Sequence, residues 1–267
     1  MQNQSKKLVH KSMWGERLVE IYDRDDFRYL YFNSRFLQSK MSLRSPRHLA
    51  LPYTRYMMLS LFFVPNPKRI LLIGLGAGSL VRYLHEVLPE SKIDAVDHSE
   101  QVIDLARGYF HLPDSARVSI HCQDGVDYIK RNRTNEPYDL ILLDAFDEQG
   151  MADGIYSREF FELCARSLSP SGLLCCNLWS GKPEDVQNIS RELTLLFPGQ
   201  LTCNVPQRGN IINYSLPYSV KWHHFSLLRR RKKMLRDRFG LDYDSMTTKL
   251  IKNNLGYLEQ MLLLLLG

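Results

Sequence analysis

Cysteines and long apolar runs are both scarce in this sequence of 267 residues. Its five cysteines include no C-x-x-C pair, which argues against a disulfide framework and against a zinc site. The longest uninterrupted apolar run, 261–266, is far shorter than the roughly 18 residues that a membrane helix needs. The first residues lack the apolar core of a signal peptide. We therefore expect a cytoplasmic protein that has no metal and no membrane contact.

The composition is that of an ordinary globular protein, with 44% hydrophobic and 24% charged residues. The net charge of +6 is concentrated in one segment, since residues 221–238 contain eight Lys or Arg and one acid. Such a segment can bind nucleic acid or another anionic surface, act as a docking helix, or form the solvated face of a packed helix. We favour the solvated face, because no aromatic residues interleave the basic run 229–233, and nucleic-acid binding stays open.

The chain divides into three regions by pattern. Closely spaced strands at 17–22, 27–32 and 35–41 predict a small β-meander domain over 1–48. Alternating strands and helices predict a Rossmann-like nucleoside-binding domain over 49–228, and a basic helical extension follows over 229–267. The central region opens with a predicted helix at 49–64.

Short apolar strands separated by helices predict an α/β fold with a parallel sheet and helices on both faces. The predicted strands are 69–73, 92–96, 117–121, 138–143, 173–178 and 200–205. The predicted helices are 79–87, 101–109, 126–131, 157–168 and 184–197, and a further helical region from 229 to the end breaks at Gly240.

A glycine-rich loop follows the first of these strands. Gly74, Gly76 and Gly78 precede a helix, so the backbone can approach a ligand closely and the helix N-terminus favours negative or polar ligand groups. The spacing G-x-G-x-G differs from that of dinucleotide-binding enzymes. The alternative is a tight turn between strand and helix.

Acidic residues follow the next two strands. Asp97 lies about 20 residues beyond the glycines, where an acid reaches ribose hydroxyls in nucleotide-binding units. The alternative is a helix cap, a role that Ser99 can fill itself. Asp124 follows the third strand and can accept a hydrogen bond from an exocyclic amine, or it can cap the next helix, and the spacing supports both equally.

The fourth strand leads into a cluster of acids. Asp144, Asp147 and Glu148 form a negative pocket at the carboxyl end of a buried strand, where Asp144 and Asp147 could hold an ammonium group and accept its proton. A solvated loop is the alternative. Because the glycines and the acids all follow strands of one sheet, they share one edge, and together they predict a nucleoside-binding site.

These motifs resemble the spermidine synthase family of aminopropyltransferases, which share the fold of S-adenosylmethionine-dependent methyltransferases. The likeness covers about 14–205. The matching segments are Pro65-Asn66-Pro67-Lys68-Arg69, Val96-Asp97, Asp124-Gly125, Asp144 with Asp147, and Ser157-Arg158-Glu159-Phe160-Phe161.

The resemblance implies roles for individual residues. Asp144 and Asp147 would be catalytic, and Tyr53 and Glu148 would bind the substrate. The nucleoside would be held by Gln38, Gly74, Gly76, Gly78, Asp97, Asp124 and Gly125. The implied activity is aminopropyl transfer from decarboxylated S-adenosylmethionine to an amine such as putrescine, and the implied assembly is a homodimer.

Three departures from the family pattern leave two alternative functions open. Ala77 stands where the family has an aspartate that holds the donor ammonium, and Arg55 stands where it has a glutamate. The family's late Tyr-Pro-x-Gly-x-Trp stretch is not recognisable, and Tyr214 is the nearest match. The alternatives are a methyltransferase that uses intact S-adenosylmethionine, because loss of the aspartate removes a repulsion of the donor carboxylate, and a non-catalytic nucleoside-binding module.

Overall fold

Two β-sheets organise the chain. The structure is a computed structural model that describes residues 6–34, 36–131, 136–146, 150–152 and 154–256. The N-terminal sheet is an antiparallel meander of four strands: β1 (Lys7–Trp14), β2 (Arg17–Arg24), β3 (Phe27–Phe32) and β4 (Phe36–Ser42). The second sheet contains β5 (Arg69–Ile73), β6 (Lys92–Asp97), β7 (Val118–Cys122), β8 (Tyr138–Leu143), β9 (Leu168–Trp179), β10 (Gly199–Asn204) and β11 (Asn210–Leu216).

The helices connect and cover these strands. They are α1 (Pro52–Met57), α2 (Ser60–Phe63), α3 (Ser79–Val87), α4 (Glu100–Tyr109), α5 (Gly125–Arg131), α6 (Arg158–Ser167), α7 (Pro183–Leu196), α8 (Trp222–Phe239) and α9 (Tyr243–Asn253). Within the described part of the chain, no helix has the length and apolar run that crossing a bilayer requires.

The large sheet has the order β10-β11-β9-β8-β5-β6-β7. The strands from β9 to β7 are parallel, whereas β11 is antiparallel to both of its neighbours. The sheet is therefore mixed, and the prediction of a parallel sheet was wrong at β11. The sequence pattern also did not predict this strand. Polar residues at Asn210, Asn213 and Ser215 interrupt the apolar run of β11, and a short turn from β10 suffices to reverse the chain.

Two predicted helices differ from the observed ones. The helix predicted at 49–64 is two short helices, α1 and α2, because Met58 and Leu59 form turn hydrogen bonds back to Arg55 and Tyr56. The helix expected from residue 229 begins at Trp222, so α8 crosses the 228/229 position. Its predicted continuation beyond 256 lies outside the described residues.

The core consists of two apolar layers, one on each face of the large sheet. Leu140 and Leu142 of β8 join one layer, and the alternating Ile141 and Leu143 join the other. Side chains of consecutive strand residues point to opposite faces, so a strand that is apolar on both faces must be covered on both. This arrangement confirms the predicted Rossmann-like α/β fold with helices on both faces and an N-terminal β-meander.

A third apolar cluster attaches the N-terminal sheet to the body. Inward-facing residues of β2, β3 and β4 pack against Ala77 in the glycine loop and against Leu105 and Phe110 around α4. Ala77 is only 2% exposed. The small sheet therefore packs directly on the loop that follows β5.

A buried arginine reinforces the same junction. The Arg82 guanidinium, in α3, donates to the carbonyl oxygens of Pro46 (3.1 Å), Ala77 and Phe110 (2.6 Å). Burial lowers its pKa to about 10, so the group stays charged at neutral pH. Arg82 thus connects the segment after the small sheet, the glycine loop and the end of α4.

Replacing Arg82 by methionine should lower the free energy of unfolding by roughly 2–4 kcal/mol, because carbonyl groups inside the protein lose their donors. The matched control is Arg107→Met, which alters an exposed residue on α4 and should change stability by less than about 0.5 kcal/mol. Urea unfolding followed by circular dichroism measures both. Equal stabilities of the two variants would contradict the role assigned to Arg82.

Candidate active site

The glycine loop lies where the strand order of the large sheet reverses. The chain runs from β5 to β6 and β7 on one side and then returns to β8 on the other, which makes the β5/β8 boundary the usual ligand crevice of an open α/β sheet. Gly74 has a φ of +92°, and a Cβ there would lie 2.3 Å from the Asp144 carbonyl oxygen. Only glycine allows this approach. The structure thus brings the glycine loop and Asp144 together.

The other two glycines differ in what surrounds them. Gly76 has a φ of +51° and a Cβ there would meet no atom within 4 Å, whereas a Cβ on Gly78 would lie 2.6 Å from Leu112 Cδ1. Gly78 caps α3 in the left-handed conformation. All three glycines therefore adopt backbone conformations that L-residues rarely adopt, so the loop between β5 and α3 is a specialised turn.

Asp97 joins the end of β6 to the glycine loop. Leu75 N–H donates to its Oδ2 and Ser99 N–H to its Oδ1, each at 3.0 Å. The side chain is 10% exposed. A carboxylate has about four acceptor positions, so Asp97 keeps capacity for ligand hydroxyl groups. Ser99 caps α4 itself, through a bond from Val102 N–H.

Asp124 caps the following helix. Its Oδ1 accepts from Val126 N–H at 2.9 Å and Asp127 N–H at 3.0 Å, at the start of α5. The residue is exposed, and among the described residues its Oδ2 has no donor. The capping alternative is therefore present, and a ligand amine can still reach the other oxygen. Gly125 is buried beneath this turn, where a Cβ would lie 2.8 Å from Ile73 Cγ2.

Among the described carboxyl groups at this edge of the sheet, that of Asp144 has the most strongly shifted pKa. Tyr53 OH donates to its Oδ2 at 3.1 Å, and Asn177 Nδ2 donates to its Oδ1 at 2.8 Å. Burial raises the pKa of Asp144 to about 7, although both hydrogen bonds act in the opposite direction. Asp144 therefore exchanges a proton near neutral pH, as a general base requires.

Three residues around Asp144 were missed by sequence reasoning. Asn177 is only 1% exposed, and its Oδ1 accepts from Asn210 Nδ2 at 3.0 Å. Tyr156 OH donates to the Asn177 carbonyl oxygen at 2.9 Å. The available signal was the polar residue Asn177 directly after the apolar run that ends in Cys175-Cys176. The pairing of Asn210 depends on β11, which the pattern did not reveal.

Asp147 and Glu148 of the predicted site lie outside the described residues. Two other residues considered from the sequence stand apart from the Asp144 cluster. Gln38 is exposed at a bulge between β3 and β4, and no hydrogen bond described for the chain joins it to the glycine loop. Tyr214 is fully buried and donates to the Tyr56 carbonyl oxygen, so it lines the core rather than the crevice.

The two unusual substitutions have different surroundings. Ala77 lies in the apolar contact under the small sheet, so the loop presents no carboxylate at that position. Arg55, two residues after Tyr53 on α1, lies close enough to His48 to add to the effect of burial in lowering the pKa of that imidazole. Among the described residues, no group of three or more His, Cys, Asp and Glu side chains is arranged to hold a metal ion.

Alanine substitutions at two loop glycines separate the cost of a strained backbone φ from the cost of a steric clash with Asp144. Gly74→Ala and Gly76→Ala both impose a positive φ on alanine, at a cost of about 1 kcal/mol. Gly74→Ala also drives a Cβ into the backbone of Asp144. We expect Gly74→Ala to lower the melting temperature distinctly more than Gly76→Ala, as measured by calorimetry. Equal shifts would show that the Gly74–Asp144 contact is not tight.

Removing the hydroxyl of Tyr53 should raise the pKa of Asp144 above its value of about 7, because a donor to the ionised form is lost. The matched control is Tyr156→Phe, which removes a hydroxyl that bonds Asn177 and leaves both donors to Asp144 in place. Carboxyl ¹³C NMR titration measures the pKa in each variant. A lower pKa in Tyr53→Phe, or the same rise in both variants, would refute the assignment.

Comparison with known proteins identifies the family of this chain. A family model described as the spermine/spermidine synthase domain matches residues 51–216. The polyamine aminopropyltransferase of Chromobacterium violaceum is 36% identical over 237 residues, covering 88% of this chain and 90% of that protein. The enzyme of the same name from Neisseria meningitidis serogroup B is 34% identical over 238 residues, with the same coverage.

Solved structures show the same fold. A probable spermidine synthase from Corynebacterium glutamicum superposes with a TM-score of 0.73 at 22% identity and covers 85% of this chain and 87% of its own. A spermidine synthase in complex with the transition-state analogue AdoDATO has a TM-score of 0.66 at 15% identity, with coverages of 88% and 87%. From the extent of the family match and the identity to its curated relatives, the chain belongs to the spermine/spermidine synthase family.

Proposed function

We propose that this protein transfers the aminopropyl group of decarboxylated S-adenosylmethionine to a small amine such as putrescine. The observation that carries the proposal is Asp144, whose backbone lies against the glycine loop and whose buried carboxyl group has a pKa of about 7. Membership of the spermine/spermidine synthase family supports the reaction type, since its curated relatives are named polyamine aminopropyltransferases.

The donor nucleoside is held at the edge formed by β5, β6 and β7. The glycine loop lies beneath it, Asp97 accepts from the ribose hydroxyls, and the open oxygen of Asp124 accepts from the exocyclic amine of adenine. Support comes from the fixed position of Asp97 and from the exposure of Asp124. We assign Gln38 to the same nucleoside from the resemblance alone.

The reaction is an in-line displacement at the methylene carbon next to the donor sulfonium. The acceptor nitrogen forms a bond to this carbon while the bond between carbon and sulfur breaks. The electron pair of the broken bond neutralises the sulfonium, and methylthioadenosine leaves. The proton lost from the acceptor amine goes to Asp144, and Asp147 binds the same ammonium group. Positioning and a poised base supply the catalysis.

The raised pKa of Asp144 suits proton transfer from an amine. An alkylammonium group has a pKa of about 10, some six units above that of an ordinary aspartate. At a pKa of about 7, the gap shrinks by about three units, which makes the transfer roughly 4 kcal/mol less unfavourable. The carboxyl group is still mostly ionised at pH 8, so it remains available as a base.

The residue at position 77 bears on which donor the site binds. Because Ala77 is buried in an apolar contact, the loop offers no second carboxylate to the donor ammonium. We assign that ammonium to the acidic cluster after β8. A protein that instead favoured intact S-adenosylmethionine would be a methyltransferase, and the assay below separates the two.

Other proposals concern location and partners. All five cysteines are free thiols, which supports a reducing, cytoplasmic environment.

Within the basic segment, Lys232 and Arg236 form ion pairs with Asp244 of α9. These pairs support a helix that packs on the body rather than one that binds nucleic acid. A homodimer remains a proposal from the resemblance.

Replacing Asp144 by asparagine should lower the rate of aminopropyl transfer by about 10²- to 10⁴-fold, because the base is lost while its shape is kept. Release of methylthioadenosine reports aminopropyl transfer, and release of S-adenosylhomocysteine reports methyl transfer; both are measured with decarboxylated and with intact S-adenosylmethionine in the presence of putrescine. The wild-type protein should release methylthioadenosine from the decarboxylated donor and no S-adenosylhomocysteine from the intact donor. Turnover of the intact donor alone would refute the proposed function.

Two controls separate catalysis from folding. Asp104→Asn changes an exposed carboxyl group on α4 and should leave the rate unchanged. The folded-state pKa of Asp144 is raised, so its contribution to stability declines as the pH rises from about 4 to about 7. Asp144→Asn removes that loss, and its melting temperature at pH 8 should equal or exceed the wild-type value. A lower melting temperature would mean that the lost activity reflects misfolding.

A further inference from the structure

Trp179 is an exposed tryptophan at the edge of the sheet where the site lies. It is the last residue of β9 and is 43% exposed. It lies two residues beyond Asn177, which bonds Asp144, and pairs directly with Asn210. Alternate residues of a strand share a face, so Trp179 lies on the same face of the sheet as Asp144's partner.

Three glycines lie around the indole ring. A Cβ on Gly181 would lie 2.7–2.8 Å from Cζ2, Cε2 and Cη2 of Trp179, so the backbone there rests on one face of the six-membered ring. A Cβ on Gly209 would lie 2.8 Å from Nε1, and one on Gly150 would lie 3.8 Å from Cε3. A side chain at Gly181 or Gly209 would push the indole away, whereas one at Gly150 would make an ordinary van der Waals contact, so the loops of Gly181 and Gly209 fit closely around the ring.

The indole is open to a ligand. The Gly181 backbone covers one face of the six-membered ring. The exposed area of Trp179 therefore belongs to the other parts of the indole. Among the described residues, no lysine or arginine lies over the Trp179 ring, although several cations lie over rings of the N-terminal sheet. Tryptophan is the best cation–π partner among the side chains, and it also packs well against methylene groups.

The spacing suits a diamine whose first nitrogen is held at Asp144. Five bonds of about 1.5 Å separate the two nitrogens of 1,4-diaminobutane, which places them roughly 6 Å apart when extended. Two strand residues span about 6.6 Å, which is the backbone distance from Asn177 to Trp179. An ammonium at the far end of such a chain therefore reaches the region of the indole.

We propose that the exposed part of Trp179 binds the methylene chain and the second ammonium of the acceptor, and that it determines which amines are used. The inference rests on the proposed function, because it deepens the description of the same site. Trp179 then selects acceptors that carry a second positive charge about four carbons from the reacting nitrogen. Monoamines lack that second charge, so they make no cation–π contact with Trp179.

The test compares 1,4-diaminobutane with n-butylamine in wild type and in Trp179→Ala. The alanine variant should raise the KM for the diamine by about 10-fold or more, with the KM for the donor and the kcat nearly unchanged. It should affect n-butylamine much less. Trp179→Phe, which keeps an aromatic face, should lie between the two. Trp14→Phe, on the N-terminal sheet, is the matched control and should behave as wild type.

A purely structural role for Trp179 predicts a different pattern. If the indole only holds the surrounding loops together, kcat falls for both amines and the diamine loses no advantage over the monoamine. An unchanged KM for the diamine in Trp179→Ala would also overturn the inference.

Binding measurements keep this test separate from the test of the reaction. Calorimetric titration of 1,4-diaminobutane into protein saturated with methylthioadenosine requires no turnover. A wild-type protein that binds the diamine but transfers nothing refutes the proposed function alone. Equal affinities of wild type and Trp179→Ala refute the role of Trp179 alone.

Discussion

The contact between the chain after β5 and the chain after β8 is the constraint on which the site depends. Gly74 has no side chain, so its backbone lies against Asp144 where the strand order of the sheet reverses. This contact fixes the backbone of Asp144 beside the glycine loop. The small N-terminal sheet packs on the same loop through Ala77, and Arg82 bonds the loop carbonyl beneath it. Fold stability and site geometry therefore share one set of contacts.

Desolvation of the Asp144 carboxyl group determines its pKa. Asp144 ends an apolar strand, and its carboxyl group is kept from water between α1 and β9, where Tyr53 and Asn177 each supply one hydrogen bond. Two donors are too few to offset burial, so the pKa rises to about 7. The same balance allows the carboxyl group to take up and release a proton near neutral pH. The polar row continues through Asn210 to the register position of Trp179.

The sequence was sufficient to predict the parts of the site that depend on local order. The glycine loop, Asp97 and Asp144 each follow a parallel strand, and strand ends of one sheet meet at one edge. Asn177 and Asn210 could not be found in this way, since their roles depend on the register of β8, β9 and β11, and the polar pattern of β11 concealed it. The sequence supported both possibilities for Asp124 equally, and the structure shows its capping bonds.

The pH dependence of kcat/KM for aminopropyl transfer tests the central claim most directly, namely that Asp144 is the base that accepts the proton of the attacking amine. With the donor saturating and the diamine varied, the rate should fall on the acid side with a midpoint near pH 7, the pKa of the buried carboxyl group. An acid-side midpoint near pH 4, the value of an ordinary aspartate, would contradict the account.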